Sequence, residues 1–198
     1  AALLRFRASG KFAYIYSASY GDPGRGLGTY YLASAFDEIW MQPMGGVSIA
    51  GIHAEVPFAR AVLDKIGVQP QFFARKEYKT LFESAMNTEM SPQSREMMKE
   101  LVDDLAGQFT QGIAEARKID VANVKALVDR GMYIDKEALD AGLVDRMEDY
   151  EALRVKVRTD VTGGTGTDDR LFIGIDDYAS QPAAAAGNRS APVRGKSV

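Results

Sequence analysis

The sequence contains no cysteine and a single histidine, His53. These two facts exclude disulfides, thiolate zinc sites, iron–sulfur clusters, a cysteine nucleophile and any multi-histidine metal site within one chain. No apolar run approaches the ~18 residues that span a bilayer. The first twelve residues, AALLRFRASGKF, are too short and too charged for a secretory leader with its apolar centre. A marked excess of either charge is missing too. Lys and Arg total 24 against 27 for Asp and Glu, net −3, so nucleic acid finds no basic surface. What is present is 46% hydrophobic residues and 10% aromatics over 198 positions, enough to bury a core and to exclude wholesale disorder. The absence of an initiating methionine, and an end in APVRGKSV, lead to the expectation of a fragment of a longer chain.

Apolar patterning predicts an α/β fold with a mostly parallel sheet flanked by helices, and a helical second half. The aromatic run Phe12–Ser17 reads as a strand covered on both faces. It is entered directly, without a preceding element. A glycine-rich loop and the helical stretch TYYLASAF follow. Strands are expected at Glu38–Gln42, Val47–His53 and Gln71–Ala74, with a helix at Pro57–Ile66 stopped by Gly67. Ser91-Pro92 opens a long helix whose stripe is Met98, Leu101, Leu105, Phe109, Ile113 and Ala116. Two short units, Asp120–Gly131 and Asp135–Gly142, each carry an acidic cap and a glycine stop, and Leu143-Val144-Asp145 is strand-sized. Residues 1–158 form the expected compact domain. Residues 159–198 read as linker and tail, with one further strand in RLFIGIDDY.

Several local signals lead nowhere. Gly24–Thr29 has the context of a dinucleotide fingerprint but places Thr29 where the third small residue belongs, and no carboxylate ends the second strand. His53 suggests a triad with Ser48 or Ser34, yet no G-x-S-x-G turn accompanies it, and a packing role is expected for both His53 and Ser48. No cofactor or metal is implied. Tyr78-Lys79-Thr80 is different. It lies beside Phe72, Phe73, Leu81 and Phe82, an apolar wall that disfavours the ammonium form of Lys79, as do Arg75 and Lys76, while Glu77 pushes the other way. A lysine acting as general base near neutrality needs about 4 kcal/mol of such differential stabilisation.

Four stretches in order, GTYYLASAFDEIWMQP, a glycine-containing strand, FFARKEYKTLFESAMNTEMSP and DKEALDAGLVD, resemble the signal peptide peptidase A family, specifically the N-terminal repeat of its long, tandem-domain form. The resemblance implies a Clp protease/crotonase-like fold and serine–lysine chemistry. It places the general base on Lys79, with Tyr78 and Gly28 as substrate-binding positions. Catalytic repeats of the family carry a serine just before this helix start; here Leu27 occupies that place. The resemblance therefore implies that the nucleophile comes from a missing C-terminal repeat. It further implies hydrophobic signal peptides as substrates, a homo-oligomer, and the extracytoplasmic face of a bacterial inner membrane. Two other readings remain open: a non-catalytic oligomerisation or peptide-binding repeat, and a crotonase-like acyl-CoA enzyme.

Overall fold

The structure is a computed structural model that describes residues 2–21, 26–72, 82–164 and 171–180. Its centre is a parallel three-stranded sheet in the order β1 (Tyr14–Ser17), β2 (Glu38–Met41), β5 (Arg146–Met147). Tyr14 to Ser17 pair with Glu38 to Met41, and Trp40 and Met41 pair with Arg146 and Met147. The fold is mixed α/β with a parallel sheet flanked by helices, as the patterning implies. β2 is the strand sealed on both faces, with Ile39, Trp40 and Met41 at 0–2% exposure. β1 is an edge and only half-buried throughout, contrary to the expectation from its aromatic run.

Beyond β1 the chain crosses to a second, antiparallel pair, β3 (Gly46–Ser48) with β4 (Met132–Ile134). Tyr20 joins the two sheets: its N–H donates to Gly46 O (2.8 Å) and its carbonyl accepts from Ser48 N (2.7 Å). β3 ends at Ser48 because β4 offers only three residues to pair with; the expected strand to His53 is instead an irregular segment beyond Ser48.

Helices cover this framework. α2 (Gly26–Ser34) packs against α5 (Pro92–Arg117), and α5 against α6 (Val121–Arg130). The starts of α5 and α6 follow the sequence signals: Ser91 Oγ accepts from Ser94 N (3.2 Å), and Asp120 Oδ1 accepts from Ala122 N (2.8 Å). Gly131 (φ +81°) and Gly142 (φ +69°) take left-handed backbone after α6 and α7 (Lys136–Asp140). Asp135 stands at the cap position of α7, as expected, but its side chain makes no capping hydrogen bond. It sits at φ 52° and its carboxylate accepts from Met44 N (3.1 Å), tying the two turns of the second sheet together. The core lies between α2, α5, α6 and the strands, around Tyr30, Ile39, Ile49, Ile113, Val124 and Leu143. Each large apolar side chain buried there contributes about 1.5–3 kcal/mol.

Five further differences concern single segments. Residues Ala2–Ala8 form α1 rather than running straight into a strand; Arg7 anchors it to Asp37 (2.6 Å) and to Ala35 O (2.7 Å). α3 (Arg60–Lys65) is shorter than the expected Pro57–Ile66 and packs with α4 (Glu83–Met86). α8 (Tyr150–Thr162), capped by Asp149 accepting from Ala152 N (2.8 Å), takes residues 159–162 out of the expected linker. Leu171–Tyr178 makes no strand and instead leads into α9 (Ile175–Ala179). Of the expected strand Gln71–Ala74, Gln71 and Phe72 belong to no strand among the described residues, and the last two residues lie outside them.

Candidate active site

A corner of three backbones sets the site. Gly21 and Gly26 both pack onto the carbonyl of Ser48: a Cβ at either position would lie 2.2 Å or 2.3 Å from that oxygen. Gly21 also has φ +84°. Only glycine lets the turn after β1 and the first residue of α2 close against the end of β3. The closure drives Leu27 inward to 4% exposure and leaves Gly28 exposed on the first turn of α2.

The result is a cleft of about 520 Å³, a volume typical of ligand sites, between the start of α2, the chain following β3 and the middle of α5. Leu27, Gly28, Thr29, Ser48, Ile52 and His53 line it, with Leu105 and Phe109 from α5 opposite. Among the described residues of the lining, the His53 imidazole is the one ionisable side chain. Ser48 is half-buried and faces this cleft, not merely packed within a strand, and His53 is exposed on the irregular segment after β3. Among the described residues no group of three or more His, Cys, Asp and Glu side chains is placed to hold a metal ion. Tyr78 and Lys79 lie outside the described residues. The described residues to either side, Phe72 and Phe82, stack with ring centroids 4.2 Å apart.

The sequence model of peptidase family S49 matches residues 9–162. The chain belongs to peptidase family S49. Protease 4 of Haemophilus influenzae is 26% identical over 193 residues, covering 91% of this chain and 30% of the relative. Protease 4 of Salmonella typhi is 28% identical, covering 97% and 32% respectively. The chloroplastic serine protease SPPA of Arabidopsis thaliana is 26% identical, covering 80% and 23%. The chain thus spans about a third or less of the relatives it matches. The resemblance to the signal peptide peptidase A family holds at this level, and the S49 family accounts for the mixed α/β architecture.

Several motif residues that carry the S49 likeness turn out to hold the scaffold. Tyr30, fully buried in α2, donates its hydroxyl to Leu143 O (2.7 Å), linking the YYLAS element to the GLVD turn. Burial pushes its pKa well above the usual phenol value. Asp37 opens β2 by accepting from Ala13 N (2.8 Å) while its own N–H donates to Ala13 O (2.8 Å). Asp145 accepts from Ile39 N (2.8 Å). Ser91, of the MSP helix start, donates its hydroxyl to Glu83, so α4 is bound to the entry of α5. Burial opposes the ionised Glu83 carboxylate, but the hydrogen bonds from Ser91 and Ser94 outweigh it and hold its pKa below the ordinary value.

Sequence reasoning passed over Ile52 as a cleft residue, and treated Leu105 and Phe109 only as part of the α5 stripe. The stripe was the available signal: its middle faces the cleft, while its C-terminal part, Ile113, enters the core.

Proposed function

We propose that this chain is part of a membrane-associated serine endopeptidase that degrades cleaved signal peptides, supplying the general-base lysine but no nucleophile. In this reading the neutral amine of Lys79 takes the proton from a serine hydroxyl as the oxygen attacks the scissile carbonyl. The same amine returns a proton to the leaving nitrogen, breaking the peptide bond and leaving an acyl-enzyme for water. Backbone N–H groups stabilise the oxyanion. The serine belongs to a second repeat, brought alongside by the tandem chain or by a homo-oligomer. Tyr78 and Gly28 contribute to holding the peptide, and the enzyme works at the extracytoplasmic face of a bacterial inner membrane.

The observation that carries the reading is Leu27. In an S49 chain, a side chain without a hydroxyl stands at the α2 start, in the wall of the cleft. The same observation supports a second reading, in which this repeat only binds peptide or drives assembly. Lys79→Ala and Lys79→Arg in the complete protein separate the two. Under the peptidase reading both variants lose about 10²–10⁴-fold in peptidase turnover, with circular dichroism and assembly size unchanged. Undiminished turnover in both assigns this repeat to binding or assembly alone.

A further inference from the structure

We infer that the methionines gathered where α4 meets the start of α5 form an oxidation-sensitive latch, in which sulfoxide formation frees α4 from α5. The latch is a modification site apart from the 520 Å³ cleft and goes beyond the peptidase reading.

Four of the chain's eight methionines, Met86, Met90, Met97 and Met98, fall within thirteen positions, where an even spread would place fewer than one. Met90, Met97 and Met98 line one hollow of about 190 Å³, together with Val56 and Phe58. A methionine that only fills a gap in a core is enclosed, as Met41 is at 0% exposure. Met97 lines the hollow and is nevertheless 41% exposed. An oxidant in solution therefore reaches a side chain that packs at the junction, and thioether oxidation follows exposure.

The hollow sits on the ties that hold α4. Glu83, the first residue of α4, lines it, and its carboxylate accepts from Ser91 N (3.2 Å) and from the hydroxyls of Ser91 and Ser94 at the entry of α5. Ala59 N, at the start of α3, donates to Ser84 O (2.7 Å), so α3 hangs on the same short helix. Phe82, directly before α4, stacks on Phe72, and these two bracket the Tyr78-Lys79-Thr80 stretch in sequence. A four-residue helix has little stability of its own, so these side-chain ties decide whether it stays in place.

The chemistry uses a peroxide or a hypohalous acid as oxidant. The sulfur lone pair attacks the oxidant's oxygen, an S–O bond forms, and the O–O or O–halogen bond breaks. Sulfur loses two electrons, and the oxidant leaves as water, or as halide and a proton. The new group is polar and a strong acceptor. Val56 and Phe58 give it no hydrogen bond, and the Glu83 carboxylate repels its negative oxygen. Of the two hydroxyls in the lining, that of Ser94 already serves Glu83, so a sulfoxide that takes it removes a tie between α4 and α5.

The test treats the complete protein with hydrogen peroxide, maps the added oxygen by mass spectrometry and follows amide hydrogen exchange. Oxygen is expected on Met97, and on the exposed Met44 and Met132 away from the hollow, with Met41 unmodified. Exchange in α3 and α4 should quicken at least tenfold while β2 and α6 stay unchanged. Methionine sulfoxide reductases of both stereospecificities, with a dithiol, should restore the slow rate. Replacing Met90, Met97 and Met98 together by leucine, which nearly conserves volume, should abolish the quickening although Met44, Met86 and Met132 still oxidise. Met97→Leu alone, at an exposed position compatible with folding, should reduce it at least threefold, and Met86→Leu should leave it in place. Slow exchange in α4 with Met97 fully oxidised overturns the inference. So does a quickening of the same size in Met97→Leu, or a Met97 that stays unmodified while Met44 is fully oxidised. Hydrolysis is not read, so the outcome is independent of Lys79→Ala, whose retained turnover overturns the peptidase reading alone.

Discussion

Arg117 and Asp145 face each other as a two-pronged pair, Nη1 to Oδ2 and Nη2 to Oδ1, both at 2.8 Å. The pair joins the last turn of α5 to the GLVD turn, and each partner has other duties. The Arg117 guanidinium also donates to Gly142 O (2.8 Å and 3.1 Å), and Asp145 accepts from Ile39 N. Helix, turn and central strand therefore meet at one carboxylate.

Removing the guanidinium should be costly because Arg117 is largely buried, at 10% side-chain exposure. Arg117→Met strips three acceptors of their partner, and hydrogen bonds to charged groups contribute about 1.5–3 kcal/mol each before relaxation. We expect a loss of about 2–4 kcal/mol, discounted because Asp145 is one-third exposed and retains water. Arg117→Lys should recover little, since an ammonium cannot span both carboxylate oxygens and the Gly142 carbonyl. Urea unfolding gives the answer; an Arg117→Lys variant as stable as the parent contradicts the two-pronged account.

Gly26 and Gly28 make a matched pair of tests within one helical turn. A Cβ on Gly26 would press into the Ser48 carbonyl, whereas one on Gly28 meets nothing within 4 Å. Gly26→Ala should cost about 1–3 kcal/mol, the usual range for overpacking against backbone. Gly28→Ala should stabilise by about 0.5–1 kcal/mol, because alanine loses less conformational freedom in a helix. Thermal melts in parallel distinguish the positions. Equal effects of the two substitutions contradict the close approach of α2 to β3.

Much of this architecture is legible in the sequence where a residue acts through its immediate neighbours. Ser91 and Asp120 cap the next turn, and Gly131 and Gly142 need only left-handed backbone, so their signals survive any context. Elements held by distant partners are harder to read. α1 buries no residue and depends on Arg7 reaching Asp37, so it leaves no apolar stripe. α8 buries only Leu153, and its inward face is polar. Lys156 and Asp160 there meet Tyr14 of β1 across 142 and 146 residues. The extent of β3 is set by the length of β4, far away in sequence. For the site, the glycine corner at 21–28 was visible as a loop before a helix, but its purpose depends on Ser48 O. The assignments of Lys79 and Tyr78 rest on the family resemblance.

Tyr30 tests the tie between α2 and the GLVD turn without touching packing. Tyr30→Phe keeps the ring and deletes the hydroxyl that donates to Leu143 O, leaving a buried carbonyl short of a partner. The expected loss is about 1–3 kcal/mol. A double-mutant cycle with Arg117→Met should be non-additive, because the acceptors of both residues lie in the single turn Gly142–Asp145. Strict additivity shows instead that the two ties act on separate parts of the fold.

Alkaline pH supplies an independent test of the buried tyrosines. Burial, and then the hydrogen bond that Tyr14 donates to Asp160 (2.7 Å), push its pKa up to about 12; burial pushes Tyr20 and Tyr30 up as well. An unfolded phenol ionises near 10. From about pH 10 upward the unfolded chain therefore sheds protons that the folded chain keeps, and folding stability falls as pH rises. Below that value the contribution is complete and flat. Urea midpoints should decline from about pH 10 through about pH 12, and tyrosinate absorbance of the folded protein should lag behind that of the unfolded chain. Tyr14→Phe removes one titrating group and should make the decline shallower. A midpoint that stays level across this window, or tyrosines that all titrate together near 10, contradicts the buried placement of Tyr20 and Tyr30 in the core.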